Sequence, residues 1–251
     1  MAFYLYSSQQ PLIEVTTYLY EIQSINDKET AFKLLSESEQ QRVKRYKSER
    51  MKNQALFFRT TLRETLSRYC DDNELEPIQS NQWQFEIERH GKPRLIQSQF
   101  DATGIQFNIS HSGDYLLIGV FHSKLPYRDI LFGVDIERER QNTDLDAILH
   151  RYFSEIEVSS LLALPKDKQR KRFFDLWALK ESYIKATGKG LATRLDSFSF
   201  TFDDTNGSIE LIAENEHKNL HWQSFIKQSA GGYRLSVSVA TKDKLALVIN
   251  F

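Results

Sequence analysis

The stretch from Phe173 to Gly190, FFDLWALKESYIKATGKG, constrains this chain more than any other. Phe173, Phe174, Leu176, Trp177, Ala178 and Leu179 cover every face of its first half, and a helix that is apolar all round is a buried one. Without leaving helical spacing, the run then carries Lys180, Glu181 and Lys185, and Gly188 and Gly190 supply a stop. Glu181 and Lys185 stand four apart and share a face. Charged groups on a buried helix must be paired, or must point into a cleft that holds ions. An ordinary Glu–Lys helix pair and a functional pair both satisfy that rule, and the stretch alone leaves both open.

A buried helix needs a core around it. Hydrophobic residues make up 40% of the 251, enough for one large domain or two of common size. The formal net charge of -1 gives no overall attraction to nucleic acid or to an acidic membrane, so any basic surface is local. A single cysteine, Cys70, excludes an intramolecular disulfide and a cysteine-rich zinc site, and the histidines show no HExxH spacing. No lysine or arginine precedes Lys28, so the basic start of a secretory signal is missing. The longest apolar run, Tyr115 to Phe121, is too short to cross a bilayer. These features predict a soluble cytoplasmic protein with no membrane and no nucleic-acid partner.

The tract 3–22 alternates loosely and predicts one or two strands. Ser36 to Glu39 offers a capping box, opening a helix that carries Arg42, Lys44, Arg45 and Lys47. A second helix is expected over Gln54 to Tyr69, then a half-buried strand at Trp83, Phe85 and Ile87. Gly91-Lys92-Pro93 reads as a turn with Lys92 at its tip. Phe107 to Gly113 followed by Tyr115 to Phe121 reads as a hairpin with Ser110 and His111 at its mouth, and Leu131 to Glu137 as a further partner. Residues 142–164 read as helical, and the basic run Lys166 to Arg172 leads into the buried helix. Strands are expected at Phe198 to Phe202, Ile209 to Ile212, His221 to Phe225, Tyr233 to Ala240 and Leu245 to Ile249.

Asp135 and Glu137 are two apart in a strand, so both carboxylates face one way while Val134 and Ile136 face the core. Two acids side by side repel each other unless a cation lies between them. Oxygen donors of this kind suit Mg²⁺, which commonly binds one or two carboxylates plus substrate phosphates. A solvated, acidic strand end fits the same three letters. In the same way Lys92 fits a solvated turn, His111 a turn hydrogen bond, and each basic run a solvated helix face.

Taken in order, GKP, FNISHS, GVDIE and WALKESYIKATGKG resemble the 4′-phosphopantetheinyl transferase superfamily, in its long, monomeric form that activates peptide and polyketide synthetases. Its N-x-S-H turn, G-[VI]-D-x-E strand and W-x-x-K-E-[SA]-x-x-K helix match at Asn108 to His111, Gly133 to Glu137 and Trp177 to Lys185. The resemblance implies an α+β fold of two pseudo-twofold-related halves, here 1–125 and 126–251, with the active site in the cleft between them. It implies transfer of the 4′-phosphopantetheine arm of coenzyme A to a serine of an apo acyl or peptidyl carrier protein, releasing adenosine 3′,5′-bisphosphate. It makes Asp135, Glu137 and Glu181 the Mg²⁺ ligands and Lys185 a contact to the diphosphate, with Glu181 also the candidate base. It gives Lys92, Ser110 and His111 to the phosphates of coenzyme A, and Arg42 to the neighbourhood of the nucleotide 3′-phosphate. Glu39 departs from the pattern, standing near a position where the family has a lysine. A module of the same fold that binds coenzyme A without turnover is the alternative. Another Mg²⁺-dependent phosphoryl transferase lacks support, since no GxxxxGK[ST] loop occurs.

Overall fold

The structure, a computed structural model, describes residues 12–203, 205–213, 217–229 and 231–251. The first expected strand tract begins there at β1 (Leu12–Glu21), and residues 3–11 of it lie outside the described residues. Three helices follow: α1 (Lys28–Lys33), α2 (Glu37–Arg45) and α3 (Glu49–Asp72). The capping box that opens α2 forms as the sequence predicts, with Ser36 and Glu39 bonding each other's backbone N–H. A short hairpin, β2 (Phe85–Ile87) and β3 (Pro93–Leu95), precedes α4 (Gln97–Thr103), β4 (Ile105–Ser112), β5 (Tyr115–His122) and β6 (Ile130–Arg138). Then come α5 (Leu145–Tyr152), α6 (Glu155–Leu162) and α7 (Lys166–Thr187), and the chain ends in β7 (Phe198–Asp203), β8 (Ser208–Ala213), β9 (His221–Ser229), β10 (Tyr233–Thr241) and β11 (Ala246–Asn250).

The strands build two main sheets. One runs β11-β1-β5-β4, with β11 parallel to β1 and the other pairs antiparallel. The second, β6-β10-β9, is antiparallel throughout. The last strand therefore returns to the sheet formed by the first, across the expected boundary at 125/126. The two sheets face each other over Val15, Leu117, Phe121, Phe132, Val134 and Val237. Outside the first sheet lies α3, packed on Phe107, Ile118 and Val120 through Leu62, Leu66 and Tyr69. The second sheet's outer face carries α7. The result is a stack of helix, sheet, sheet and helix, and its mixture of helix and sheet is the α+β class expected of this sequence. Among the described residues no helix is long and apolar enough to cross a membrane.

Several local expectations are refined or corrected. Residues 142–164 are helical as expected, in two helices, because Ser154 caps a fresh start in a second capping box with Glu157. The buried helix begins at Lys166, so the basic run is its first turns. It ends where the sequence places the stop: Gly188 takes φ 68°, and its N–H returns to the Ile184 carbonyl. β6 is not the next partner of the β4–β5 hairpin. It pairs with β10, and its other edge lies beside β4.

Candidate active site

The edge of β6 that β10 leaves unpaired is satisfied by side chains of β4. Asn108 Oδ1 accepts from Val134 N at 2.9 Å and Ser112 Oγ from Arg138 N at 3.1 Å. A buried edge must place its N–H groups somewhere, and alternate residues of β4 do that here. Ser110 sits between these two on the same face. It donates from Oγ to Asp135 Oδ1 at 2.7 Å. Asn108 to Ser112 are thus strand residues, and the turn expected at Ser110 and His111 falls instead at Gly113 and Asp114.

Lys185 reaches this seam from α7. Its ammonium donates to Ser110 Oγ at 2.5 Å and to Asp135 Oδ1 at 2.6 Å. Asp135 is only 4% exposed, and its second oxygen, Oδ2, is buried with no hydrogen-bond partner. Beside it on the strand face, Glu137 accepts a long bond from Ser112 Oγ at 3.4 Å. Burial first, then the repulsion of Asp135 and, more weakly, Glu181, pushes the Glu137 carboxyl up to about 7. Glu181 is also raised, by burial and then by Asp135, with Lys185 pulling the other way. The three acids thus feel one another across two segments. Among the described residues, no three carboxylate, imidazole or thiol groups stand close enough together to hold a metal ion between them. Lys185 is the cation that meets Asp135 as the chain stands.

The other predicted residues surround this seam in different ways. His111 follows Ser110 and so points to the opposite face, where its ring lies 4.7 Å from that of Phe58 on α3. Burial and the Lys185 charge hold its imidazole below the usual range. Lys92 is not at a solvated tip. Its ammonium donates to the carbonyls of Phe132 at 2.8 Å and Ala186 at 3.3 Å, joining the β2–β3 hairpin to β6 and α7. Burial lowers it to about 8 against the pull of Glu88. Arg42 is exposed on α2 and lines a cleft of 330 Å³ with Glu39, Phe58, Arg59, Gly91 and Ile109. Glu39 is occupied by its cap and by an ion pair with Arg63. A wider cavity of 810 Å³, lined by Arg94, Phe100, His122 and Tyr127 among others, lies at the far end of β4 and β5 and contains none of the acids. The perturbed carboxylates mark the site better than cavity size does.

Two contributions escape the sequence reading. Ser112 could have been found from its spacing, since residues 108, 110 and 112 share one strand face. Lys180, in the same helical motif as Glu181, turns away from the seam. It is fully buried and bonds Glu157 at 2.7 Å and the carbonyls of Leu195 and Phe198 at 2.8 and 2.7 Å. Glu157 in turn accepts from Phe200 N at 2.9 Å. No local pattern links a lysine at 180 to an acid 23 residues earlier, so only the packing of α6 and β7 against α7 reveals the pair.

Comparison with known proteins agrees with the motif order. Residues 131–238 match the 4′-phosphopantetheinyl transferase superfamily, and residues 24–121 match 4′-phosphopantetheinyl transferase, N-terminal. The chain is 31% identical over 200 residues to the 4′-phosphopantetheinyl transferase Sfp of Bacillus subtilis (strain 168), covering 80% of this chain and 82% of that protein. It is 33% identical over 190 residues to the putative 4′-phosphopantetheinyl transferase slr0495 of Synechocystis, covering 76% and 70%. Against the 4′-phosphopantetheinyl transferase ffp of Bacillus subtilis it is 40% identical over 162 residues, 63% of this chain and 64% of that one, just under two thirds of the relative. A solved holo-(acyl-carrier-protein) synthase from Bacillus anthracis, in complex with CoA (3′,5′-ADP), aligns with 45% of this chain and 98% of its own at 23% identity and TM-score 0.40. The chain belongs to the 4′-phosphopantetheinyl transferase superfamily and is an enzyme of that class. Within it, the chain falls with the Sfp-type members.

Proposed function

We propose that this enzyme moves the 4′-phosphopantetheine arm of coenzyme A onto a serine hydroxyl of an apo acyl or peptidyl carrier protein. The serine Oγ attacks the phosphorus that bears the pantetheine arm, and the bond from that phosphorus to the bridging oxygen breaks. Adenosine 3′,5′-bisphosphate leaves. A serine hydroxyl needs a base at neutral pH, and Glu181 takes its proton directly or through a water. Burial makes its carboxyl a stronger base than an exposed one. Lys185 meets the charge that grows on the bridging oxygen.

The donor set suits Mg²⁺. Asp135 and Glu137 offer hard oxygens on one strand face, Oδ2 of Asp135 has no partner, and Glu137 is raised by burial and then by the charge of Asp135 beside it. With Glu181 they are the residues that would hold the ion, and two protein carboxylates plus a diphosphate already make a common Mg²⁺ arrangement. Bound there, Mg²⁺ would neutralise the diphosphate oxygens during transfer. The phosphates of coenzyme A then fall to Lys92, Ser110 and His111, with Arg42 near the 3′-phosphate. An ammonium has three donors, and Lys92 spends two on carbonyls, leaving one for a phosphate.

In this reading residues 1–125 supply most coenzyme A contacts, and residues 126–251 supply the acids and α7. The exposed Lys166, Lys168 and Lys171 on the first turns of α7 offer a docking surface to an acidic carrier. The enzyme works as a cytoplasmic monomer. The observation that carries the reading is the meeting of Lys185, Ser110 and Asp135 beside an orphaned carboxylate oxygen. Incubation with coenzyme A, Mg²⁺ and a panel of apo carrier proteins, followed by intact mass, tests it. At least one carrier should gain the mass of one arm, and none gaining it would refute the reading.

A further inference from the structure

The face of the second sheet that carries the acids is polar, which is unusual for a surface buried under a helix. On β10, Arg234, Ser236 and Ser238 stand directly across from Glu137, Asp135 and Gly133 of β6. All three are buried, at 1%, 0% and 0% exposure. Each holds a different point of α7. Arg234 donates from Nε to Asp175 Oδ1 at 2.5 Å and from Nη2 to Glu139 Oε2 at 2.8 Å. Ser236 Oγ donates to the Ala178 carbonyl at 2.7 Å. Ser238 Oγ lies 2.8 Å from Ser182 Oγ. Residues 175, 178 and 182 form one stripe of the helix, and 234, 236 and 238 form one face of the strand. At Gly133 the helix backbone rests on β6 itself, since a Cβ there would fall 2.1 Å from Ser182 O and 2.4 Å from Ala186 N.

Apolar contact is non-directional and sets no single register for a helix lying on a sheet. Slipping by one residue moves a helix about 1.5 Å and turns it about 100°. Either change would carry Lys185 off Asp135. A buried hydroxyl or guanidinium that loses its partner is costly, so a series of such bonds selects one register. We infer that Arg234, Ser236 and Ser238 are positioning residues: they fix α7 along the sheet so that Glu181 and Lys185 stand opposite Asp135 and Glu137. The inference rests on the transferase reading given above. None of the three donates to those acids. They act through Asp175, Ala178 and Ser182.

Ser236→Ala removes one hydroxyl and leaves the Ala178 carbonyl its own helical position. Ser182→Ala and Ser238→Ala both remove the bond that joins these two hydroxyls; Ser238→Ala also removes the bond to Ser224 Oγ at 3.0 Å, and Ser182→Ala the bond to the Leu179 carbonyl of its own helix at 2.9 Å. At temperatures well below melting, each variant should lose about tenfold in kcat while KM for coenzyme A moves less than twofold, because a small misplacement of reacting groups is felt in the transition state. The double variant Ser182→Ala with Ser238→Ala should be no slower than Ser238→Ala alone, which already loses both the bond to Ser182 and the bond to Ser224. A purely structural role would lower Tm and leave kcat unchanged. The register is also readable without catalysis. Ser182→Cys with Ser238→Cys puts two thiols within reach of a disulfide. Under oxidised glutathione the pair should close several-fold more slowly when Ser236→Ala is added, and closure should restore kcat in that background. Unchanged kcat in the serine variants, with equal closure rates, overturns the inference. A parent protein that loads no carrier overturns the transferase reading instead, and the closure rates still decide the register. If Ser236→Ala does not fold, kcat and KM of Ser182→Ala and Ser238→Ala decide the question, and a parental kcat in both overturns the inference.

Discussion

The ammonium of Lys185 lies 2.6 Å from Asp135 Oδ1, and the other oxygen of that carboxylate is buried without a partner. One residue comes from the long buried helix and one from a strand 50 positions earlier. The contact does two things. It neutralises an acid that could not otherwise be buried, and it aims a cation at the place where the diphosphate is expected. Lys185→Met should therefore cost a hundredfold or so in kcat, about 3 kcal/mol, which is typical for losing one preorganised charge contact. The fold should survive, with a lower Tm because Asp135 keeps only Ser110. Steady-state loading of a carrier, read with circular dichroism, checks both, and a parental kcat would remove Lys185 from the chemistry.

Glu181→Gln keeps the shape of the side chain and removes its basicity. Turnover should vanish while coenzyme A binding, measured by calorimetry, stays detectable. Unimpaired transfer would take Glu181 out of the mechanism.

Glu137 gives a pH signature. Folding raises its carboxyl from 4.5 to about 7, through burial and the acids beside it. Between those values the folded chain holds a proton that the unfolded chain has lost, so this group's contribution to stability falls as pH rises through the window. Glu181 shifts in the same direction. In EDTA, Tm measured across that window should fall less steeply in Glu137→Gln than in the parent. Added Mg²⁺ should raise the parent's Tm most at the alkaline end, where the carboxylates are ionised. A Tm profile that the substitution leaves untouched contradicts the account.

Lys180 offers a control from the same motif. Its pair with Glu157 is fully buried on both sides. Breaking such a pair from one side leaves a charge stranded, at about 3–5 kcal/mol. Lys180→Met should therefore cause a large loss of stability. Lys180→Met combined with Glu157→Gln should recover part of it. Thermal or urea melts of the single and double variants decide this, and a single variant as stable as the parent would show that the pair contributes little.

Much of this was legible in the chain. Apolar coverage of 173–179 marks a buried helix, alternation marks the carboxylates of β6 as sharing a face, and Ser36 and Glu39 announce a cap. These are local features, set by spacing along a single element. What the sequence could not show depends on which elements become neighbours. β6 pairs with β10, about a hundred residues later, rather than with the hairpin before it. Lys92 turns inward because Phe132 and Ala186 bring two carbonyls to it. Ser110 and His111, adjacent in sequence, serve opposite faces because the strand continues through them. Alternation in 233–240 places Arg234, Ser236 and Ser238 on one face of β10, but nothing local shows that this face meets α7.

The most direct test is the Mg²⁺ dependence of carrier loading in the parent and in Asp135→Ala combined with Glu137→Ala. The account predicts a parent that loads carrier with Mg²⁺ and stops in EDTA, and a folded double variant that loads none at any Mg²⁺ concentration. Loading by the double variant at the parental rate, or loading by the parent that EDTA leaves unchanged, would contradict it.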